Sequence, residues 1–258
     1  TRPDIDPIVL LSGVAARTEK IKLGTGVLIL PIRAPVQLAK TALSLDAFSN
    51  GRLILGAGLG EYTEEVKSAQ ILSGSRSSLA DESLAVLRKL LHDSGTTHQG
   101  QYFSFKNLTV LPKSSRKQGI PVWTSAAWKG KIIEGPLNRA ARFADGFIYD
   151  APAQIYGEAK DRISERAASI GRNPDEIEWA CWMFTCLGSS KEEAWDSLKG
   201  VMSSVLDRPL GYGSGGCYAF GTPDDCIETI QEYIDIGVTH FCISAKCPPE
   251  QMLDLYQS

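Results

Sequence analysis

Apolar and polar positions along the chain fall into two alternating rhythms. In IDPIVLLSGVAARTE, residues Ile8, Leu11, Val14 and Ala15 recur at helical spacing, with Asp6 suited to the N-cap and Pro7 to the first turn. IKLGTGVLIL reads as a strand interrupted by Gly-Thr-Gly. Pro35 then opens the helix PVQLAKTALSLDAF, which Asn50-Gly51 ends. Arg52 to Gly56 is the next strand, followed by helical patterns over Thr63 to Leu72 and Leu79 to Leu91. THQGQYFSFKNLTVLP alternates polar and apolar residues and predicts a hairpin-like excursion turning at Lys106-Asn107.

The second half repeats the strand–helix order. IPVWTS predicts a strand and Lys131 to Arg142 a helix; DGFIYD predicts a strand and Gln154 to Ser169 a helix. IEWACWMFTCLG predicts a strand, with a helix behind a capping box of Ser189 and Glu192 or Ser190 and Glu193. LGYGSGGCYAFG reads as a Gly-rich loop, a candidate mobile lid over 211–221. Thr222 and Pro223 cap one more helix, THFCIS is the last strand, and PPEQMLDLY a terminal helix. Strands alternating with helices imply a mostly parallel sheet covered by helices. No fixed-period repeat, linker or low-complexity tract divides residues 1–258, which read as a single domain with six such strands.

Composition changes this picture little. A formal charge of −3 with 22% charged residues gives no reason to expect a nucleic-acid partner. The apolar runs are too short to span a bilayer, and no membrane association is expected. Six cysteines, at 181, 186, 217, 226, 242 and 247, lack metal-site spacing and the chain has only 3 histidines. They are expected to be reduced thiols of a cytoplasmic protein, and no metal is expected. His92, His98 and His240 have no acid–base partner legible in the sequence.

The chemistry lies in the glycines. GRLILGAGLGEYTEE resembles a phosphate-binding loop, but Glu61 stands where a dinucleotide fingerprint needs its third glycine, and no Lys-Ser or Lys-Thr follows for a P-loop. A tight strand-to-helix turn is the plain alternative. The second break, Gly24-Thr25-Gly26, favours a ligand site. Glycines inside a strand mark a bulge or a close backbone approach, and two neighbouring strands so broken would line the C-terminal mouth of a parallel sheet.

Together, IKLGTGVLILPIRAPVQLAKTALSLDAFSNGRLILGAGLGEYTEE resembles the bacterial luciferase-like flavin or F420-dependent oxidoreductases. IPVWTSAA, RAARFADGFI and GTPDDCIETIQEYIDIGVTHFCIS resemble that family's later strands and helices. The resemblance implies an α/β fold, a TIM-type (β/α)8 barrel. In family register the chain carries strands three to eight and apparently lacks strands 1 and 2, so it is expected to be N-terminally truncated or completed by a partner chain. It implies FMN or coenzyme F420 as cofactor, a small organic substrate, and a reduced-flavin donor or F420-reducing system as electron source; a homodimer is left open. Reduced FMN would mean monooxygenation, F420 hydride transfer as a dehydrogenase or reductase.

By the same resemblance, Gly26-Val27 would be a non-prolyl cis peptide behind the flavin ring. Thr25, Gly26 and Val27, then Gly58, Leu59, Gly60 and Glu61, and after the next strand Ser125, Ala126, Ala127 and Trp128, would bind the cofactor. Trp128 departs from the small residues of many relatives. Catalytic residues are expected on the absent strands and none is assigned; Glu61 is the best-placed acid. Arg52 is expected to pair with an acid such as Asp46. Two other readings stand beside this one: a non-catalytic flavin-binding relative or fragment acting by association, and an unrelated barrel enzyme, which would need a Lys or an acid pair at strand ends.

Overall fold

The computed structural model describes residues 5–60, 64–68, 76–127, 129–206 and 216–245. They fall into two compact units, one of residues 1–125 with 138–146, the other of 126–137 with 147–258.

The first unit opens with α1, Pro7–Arg17. Asp6 caps it, its carboxylate accepting from the backbone N–H of Ile8 and Val9 while pairing with Arg33 at 2.6 Å. Then come β1 (Leu23–Gly24), β2 (Leu28–Ile29), α2 (Pro35–Phe48) and β3 (Leu53–Gly58). β1 and β2 are the two halves of one broken strand, both parallel to β3. Leu23 pairs with Leu53 and Gly24 with Ile54; beyond the break Leu28 pairs with Ala57 and Ile29 with Gly58. Thr25, Gly26 and Val27 therefore oppose only Leu55 and Gly56, which is a bulge of one residue.

α3 (Glu64–Ser68) and α4 (Arg76–His92) lead to a two-stranded hairpin, β4 (Thr96–Gln99) and β5 (Ser104–Leu108), then β6 (Val122–Ala126), parallel to β3. The apolar face of α2 (Leu38, Leu43) and that of α4 (Leu84, Leu87, Leu91) bury against Leu23, Leu28, Leu53, Leu55 and Val122 in one cluster. α5 (Glu134–Phe143) follows. Its buried Arg139 ties it to α4 through Asp81 at 2.6 Å, and Asp145 exchanges hydrogen bonds with the backbone of Val122 at the foot of β6.

In the second unit β7 (Gly146–Tyr149, of which 147–149 belong here) and α6 (Ala153–Ser169) precede the long strand β8 (Glu178–Leu187). After α7 (Lys191–Leu206) come β9 (Tyr218–Gly221), α8 (Pro223–Asp235) and β10 (His240–Ala245). Both β9 and β10 run parallel to β8. Tyr156 and Tyr233 are buried edge to face, and their hydroxyls donate to the carbonyls of Ala180 and Ala151. Burial pushes both hydroxyls above the ordinary tyrosine range. The capping box at Thr222 is formed with Asp225. At α7 the cap is Ser190, accepting from the Glu193 N–H, while the Glu193 carboxylate reaches back to Ser189.

Three expectations need correction. Arg52 does not pair with Asp46. Its guanidinium donates to the carbonyls of Ala15, Thr18, Ile21 and Ser49 and to the Thr18 hydroxyl, closing the C-terminal end of α1, where a cation is favoured. Asp46, fully buried, instead takes Arg116 at 2.7 Å and the Ser114 hydroxyl at 2.6 Å. The hairpin turns at 100–103 rather than at Lys106-Asn107. Asn107 lies inside β5 with φ +53°, where the register shifts. Residues 218–221, read as loop, form β9, because they find an open edge on β8 that no local pattern announces. The remainder of the proposed lid, and the terminal helix, lie outside the described residues.

The hairpin turn is organised by one carboxylate. Glu82 of α4 accepts from the backbone N–H of Gln101, Tyr102 and Phe103 and contacts His98 Nε2 at 3.1 Å, so His98 does have an acid partner. Burial alone would raise the Glu82 pKa. The bonds from Phe103, His98, Tyr102 and Gln101 outweigh it and hold the carboxyl below its usual range. Its contribution is therefore present above the ordinary glutamate range and lost as pH falls through the lowered pKa of the folded state. Amide exchange at 101–103 is expected to accelerate across that window, and Glu82→Gln to show the same acceleration at neutral pH. Unchanged protection in the variant would refute the assignment. Arg52→Met is expected to cost about 1–2 kcal/mol in urea unfolding, with the loss of protection concentrated at the C-terminal end of α1.

Candidate functional site

Three neighbouring strands of the first unit end together: the β1–β2 break, β3 and β6. The C-terminal ends of parallel strands are where ligands bind in sheets of this kind. The break is fixed from within. Thr25 is buried, its N–H donates to the Ile54 carbonyl, and its hydroxyl donates to the Gly56 carbonyl at 2.8 Å. The Thr25 side chain is thus committed to structure, leaving the backbone beyond it as what the bulge can offer. Gly26 is exposed, Val27 half-buried, and the Gly26–Val27 peptide is cis, as the resemblance implied.

β3 can lie against this bulge only because it lacks side chains there. A Cβ on Gly56 would stand 1.8 Å from the Thr25 carbonyl oxygen, a backbone atom that cannot yield. A Cβ on Gly58 would stand 2.8 Å from Val27 Cγ2 and 3.1 Å from Ser125 Oγ. Gly58 therefore places Val27 and Ser125 on either side of bare strand backbone. Among the described residues the hydroxyl of Ser125, half-buried, makes no hydrogen bond. It remains a donor and acceptor at the mouth of the three strands.

The turn after β3 is shaped the same way. Leu59 packs its side chain against the core cluster, so only its backbone faces the mouth. Gly60 has φ +64°, and a Cβ there would sit 2.6 Å from Ile29. That position needs glycine both for its left-handed backbone and for the side chain of β2 against it. Ala126 closes β6, half-buried, and Ala127 follows it, exposed. Glu61 and Trp128 lie outside the described residues. Gly56 and Ile29 were not singled out from the sequence. The even spacing of Gly56, Gly58 and Gly60 was the available signal, since it puts the strand's two glycines on one face.

The arrangement offers a flat run of backbone, one β-branched side chain and one unbonded hydroxyl. That suits a planar ring system approached by main chain better than it suits side-chain acid–base catalysis. Among the described residues no cluster of three metal-ligating side chains occurs, and no helix is long and apolar enough to cross a membrane.

Comparison with known proteins accords with this geometry. Residues 1–211 match the family model described as luciferase-like monooxygenase. The 4-hydroxyprotoasukamycin monooxygenase of Streptomyces nodosus subsp. asukaensis is 28% identical over 257 residues, covering 93% of this chain and 66% of its own length. An F420-dependent glucose-6-phosphate dehydrogenase of Nakamurella multipartita is 26% identical, covering 95% of this chain and 78% of its own. The chain thus spans just under two thirds of the first relative. Among solved structures, an F420-dependent secondary alcohol dehydrogenase superposes with a TM-score of 0.81 at 17% identity, over 96% of this chain and 81% of its own. That likeness shows the fold, that of the TIM-type (β/α) barrels.

The close approach sets a test of the site's framework. Gly56→Ala is expected to lose about 3 kcal/mol or more in urea or thermal unfolding, as overpacking against backbone. Gly24→Ala, where a Cβ meets nothing within 4 Å, serves as the tolerated control. Equal stability of the two variants would show that the bulge is not held as described.

Proposed function

The chain belongs to the luciferase-like monooxygenase family, and on that premise we propose that it is a flavin- or deazaflavin-dependent oxidoreductase acting on a small organic substrate. The observation that carries this reading is the meeting of Val27, Gly58 and Ser125 at the ends of three parallel strands. Relatives named for F420 and for monooxygenation support both cofactors, FMN and F420.

The residues fit such a group. Thr25, Gly26 and Val27 would support the ring through the bulged backbone. Gly58, Leu59 and Gly60 would approach it by main chain, and the Ser125 hydroxyl would supply one hydrogen bond. For Ala126 and Ala127, and for Glu61 and Trp128, the support is the sequence pattern alone. When bound, the cofactor supplies the redox chemistry: oxygen activation with reduced FMN or hydride exchange with F420. The protein's part is to bind, to orient and to keep one face of the ring against backbone. The reducing equivalents come from a separate flavin reductase or F420-reducing system. The described cysteines are thiols rather than disulfides, four of them buried, which supports a reducing, cytoplasmic setting.

Titration with FMN and with F420, followed by absorbance and fluorescence, tests the reading. One of the two is expected to bind. Ser125→Ala should weaken it about three- to tenfold, the worth of one hydrogen bond, and Gly58→Val should weaken it more, by displacing Val27 and Ser125. Binding of neither cofactor sinks the proposal. Binding without turnover on a panel of aldehydes, alcohols and enones would leave association as the function.

A further inference from the structure

The first unit carries a helix whose outward face the cofactor reading leaves unused. Between Asp6 and Arg17, α1 reads PIVLLSGVAA, with no charged residue and a single hydroxyl. Ser12 keeps that hydroxyl within the helix, donating to the Ile8 carbonyl at 2.8 Å. The inward face is ordinary: Ile8, Leu11, Val14 and Ala15 pack in the core cluster at helical spacing. A helix with one face in the core and the other in water carries polar residues outward. α1 does not.

Its outward positions are apolar instead. Ile5, Val9 and Leu10 are each more than half exposed, Val9 at 65%. Gly13 and Ala16 are exposed beyond them, so the stripe runs through 5, 9, 13 and 16 on successive turns. Gly13 lowers the stripe near its middle. A Cβ there would meet nothing within 4 Å, so the packing of the described residues does not require glycine, which weakens a helix interior. The apolar surface continues past the helix. One guanidinium, that of Arg52, bonds the carbonyls of Ile21 and Ser49, which holds Ile21 beside the end of α2, next to Phe48. Ile21 and Phe48 are also more than half exposed. Exposed apolar surface gathered in this way marks an interaction site.

Charge at the two ends of α1 indicates what covers it. At the N-terminal end the Asp6 carboxylate is 40% exposed. One of its oxygens accepts from the N–H of Ile8 and Val9, the other, among the described residues, from Arg33 alone. In the last turn Arg17 is exposed and makes no ion pair among the described residues. A second α1 laid antiparallel, crossing at Leu11 and Ser12, brings Arg17 of each copy to Asp6 of the other. The same alignment sets Leu10 of one copy over Gly13 of the other, a branched side chain over the position that has none. It also brings Ile5 to the end where Ile21 and Phe48 stand. Antiparallel helix dipoles attract, whereas a parallel pairing would set Arg17 against Arg17 and Asp6 against Asp6.

We propose that the outward face of α1 is a homodimer contact, on which a second copy of the chain lays its own α1 antiparallel across a two-fold axis. The occupant is a second copy because the face is complementary to itself, in charge at its ends and in shape at Leu10 and Gly13. A self-complementary patch of this kind closes after two copies. The contact uses no residue of the cofactor mouth, so it stands apart from the oxidoreductase reading.

Size-exclusion chromatography with light scattering on the full chain, over a concentration series, tests this. A dimer is expected. Gly13→Glu places a carboxylate in open space on the separate chain but buries it in the contact. It should raise the dimer dissociation constant about a hundredfold or more while leaving the circular dichroism spectrum unchanged. Arg17→Glu sets acid against acid at both ends and should raise the constant about three- to tenfold. If circular dichroism shows that Gly13→Glu does not fold, Val9→Lys takes its place. A monomer at every concentration overturns the proposal, as does a dimer that Gly13→Glu leaves intact. Equal affinity in wild type and Arg17→Glu overturns the antiparallel alignment. A monomer whose unfolding temperature falls with Gly13→Glu would assign the face to a segment of the chain itself, which also overturns the proposal.

Discussion

The candidate site depends on one exclusion of volume. β3 runs beside a bulged strand whose Thr25 carbonyl occupies the space where a side chain of residue 56 would begin. Without that contact the bulge has no wall to rest on. Without the bulge, Val27 does not reach Gly58, and Ser125 loses its neighbour at the ends of the strands. Hydrogen bonds then fix what the glycines permit: the Thr25 hydroxyl spans from the bulge to the Gly56 carbonyl, joining the two strands by a side chain where their ladder is interrupted. The core beneath, built by Leu53 and Leu55 on the opposite face of β3, holds the strand in the position from which its bare face can be approached.

Much of the fold was legible because its elements announce themselves locally. Asp6 and Pro7 mark the start of α1, Pro35 that of α2, and Thr222 with Pro223 that of α8, each by a mechanism confined to a few residues. What could not be read depended on partners distant in sequence. Arg52 chose four carbonyls over a nearby carboxylate, and Asp46 chose Arg116, 70 residues away. β9 is a strand only because β8 has an edge to offer. Asn107 looks like a turn residue and does adopt a left-handed backbone, but the hairpin uses that conformation for a shift of register and turns elsewhere.

The candidate site shows the same division. Its glycines were visible in the sequence, and the resemblance to luciferase-like oxidoreductases gave them a role. The residue count of the bulge and the flanking of Gly58 by Val27 and Ser125 were not visible, since both follow from pairing register, which no local pattern encodes.

The one-residue bulge also carries a consequence for parity. Leu23 and Leu28 are five positions apart, an odd interval that in an unbroken strand would send them to opposite sides of the sheet. Both are nonetheless buried in the same core, because the extra residue between them restores the phase. The chain on either side of the break is therefore kept in step by length alone. A single-residue deletion between 25 and 27 would leave two residues facing Leu55 and Gly56, so the two leucines would stay on one side while the bulge itself would be lost. An added residue, by contrast, would keep both leucines in register with β3 only if the bulge grew to absorb it.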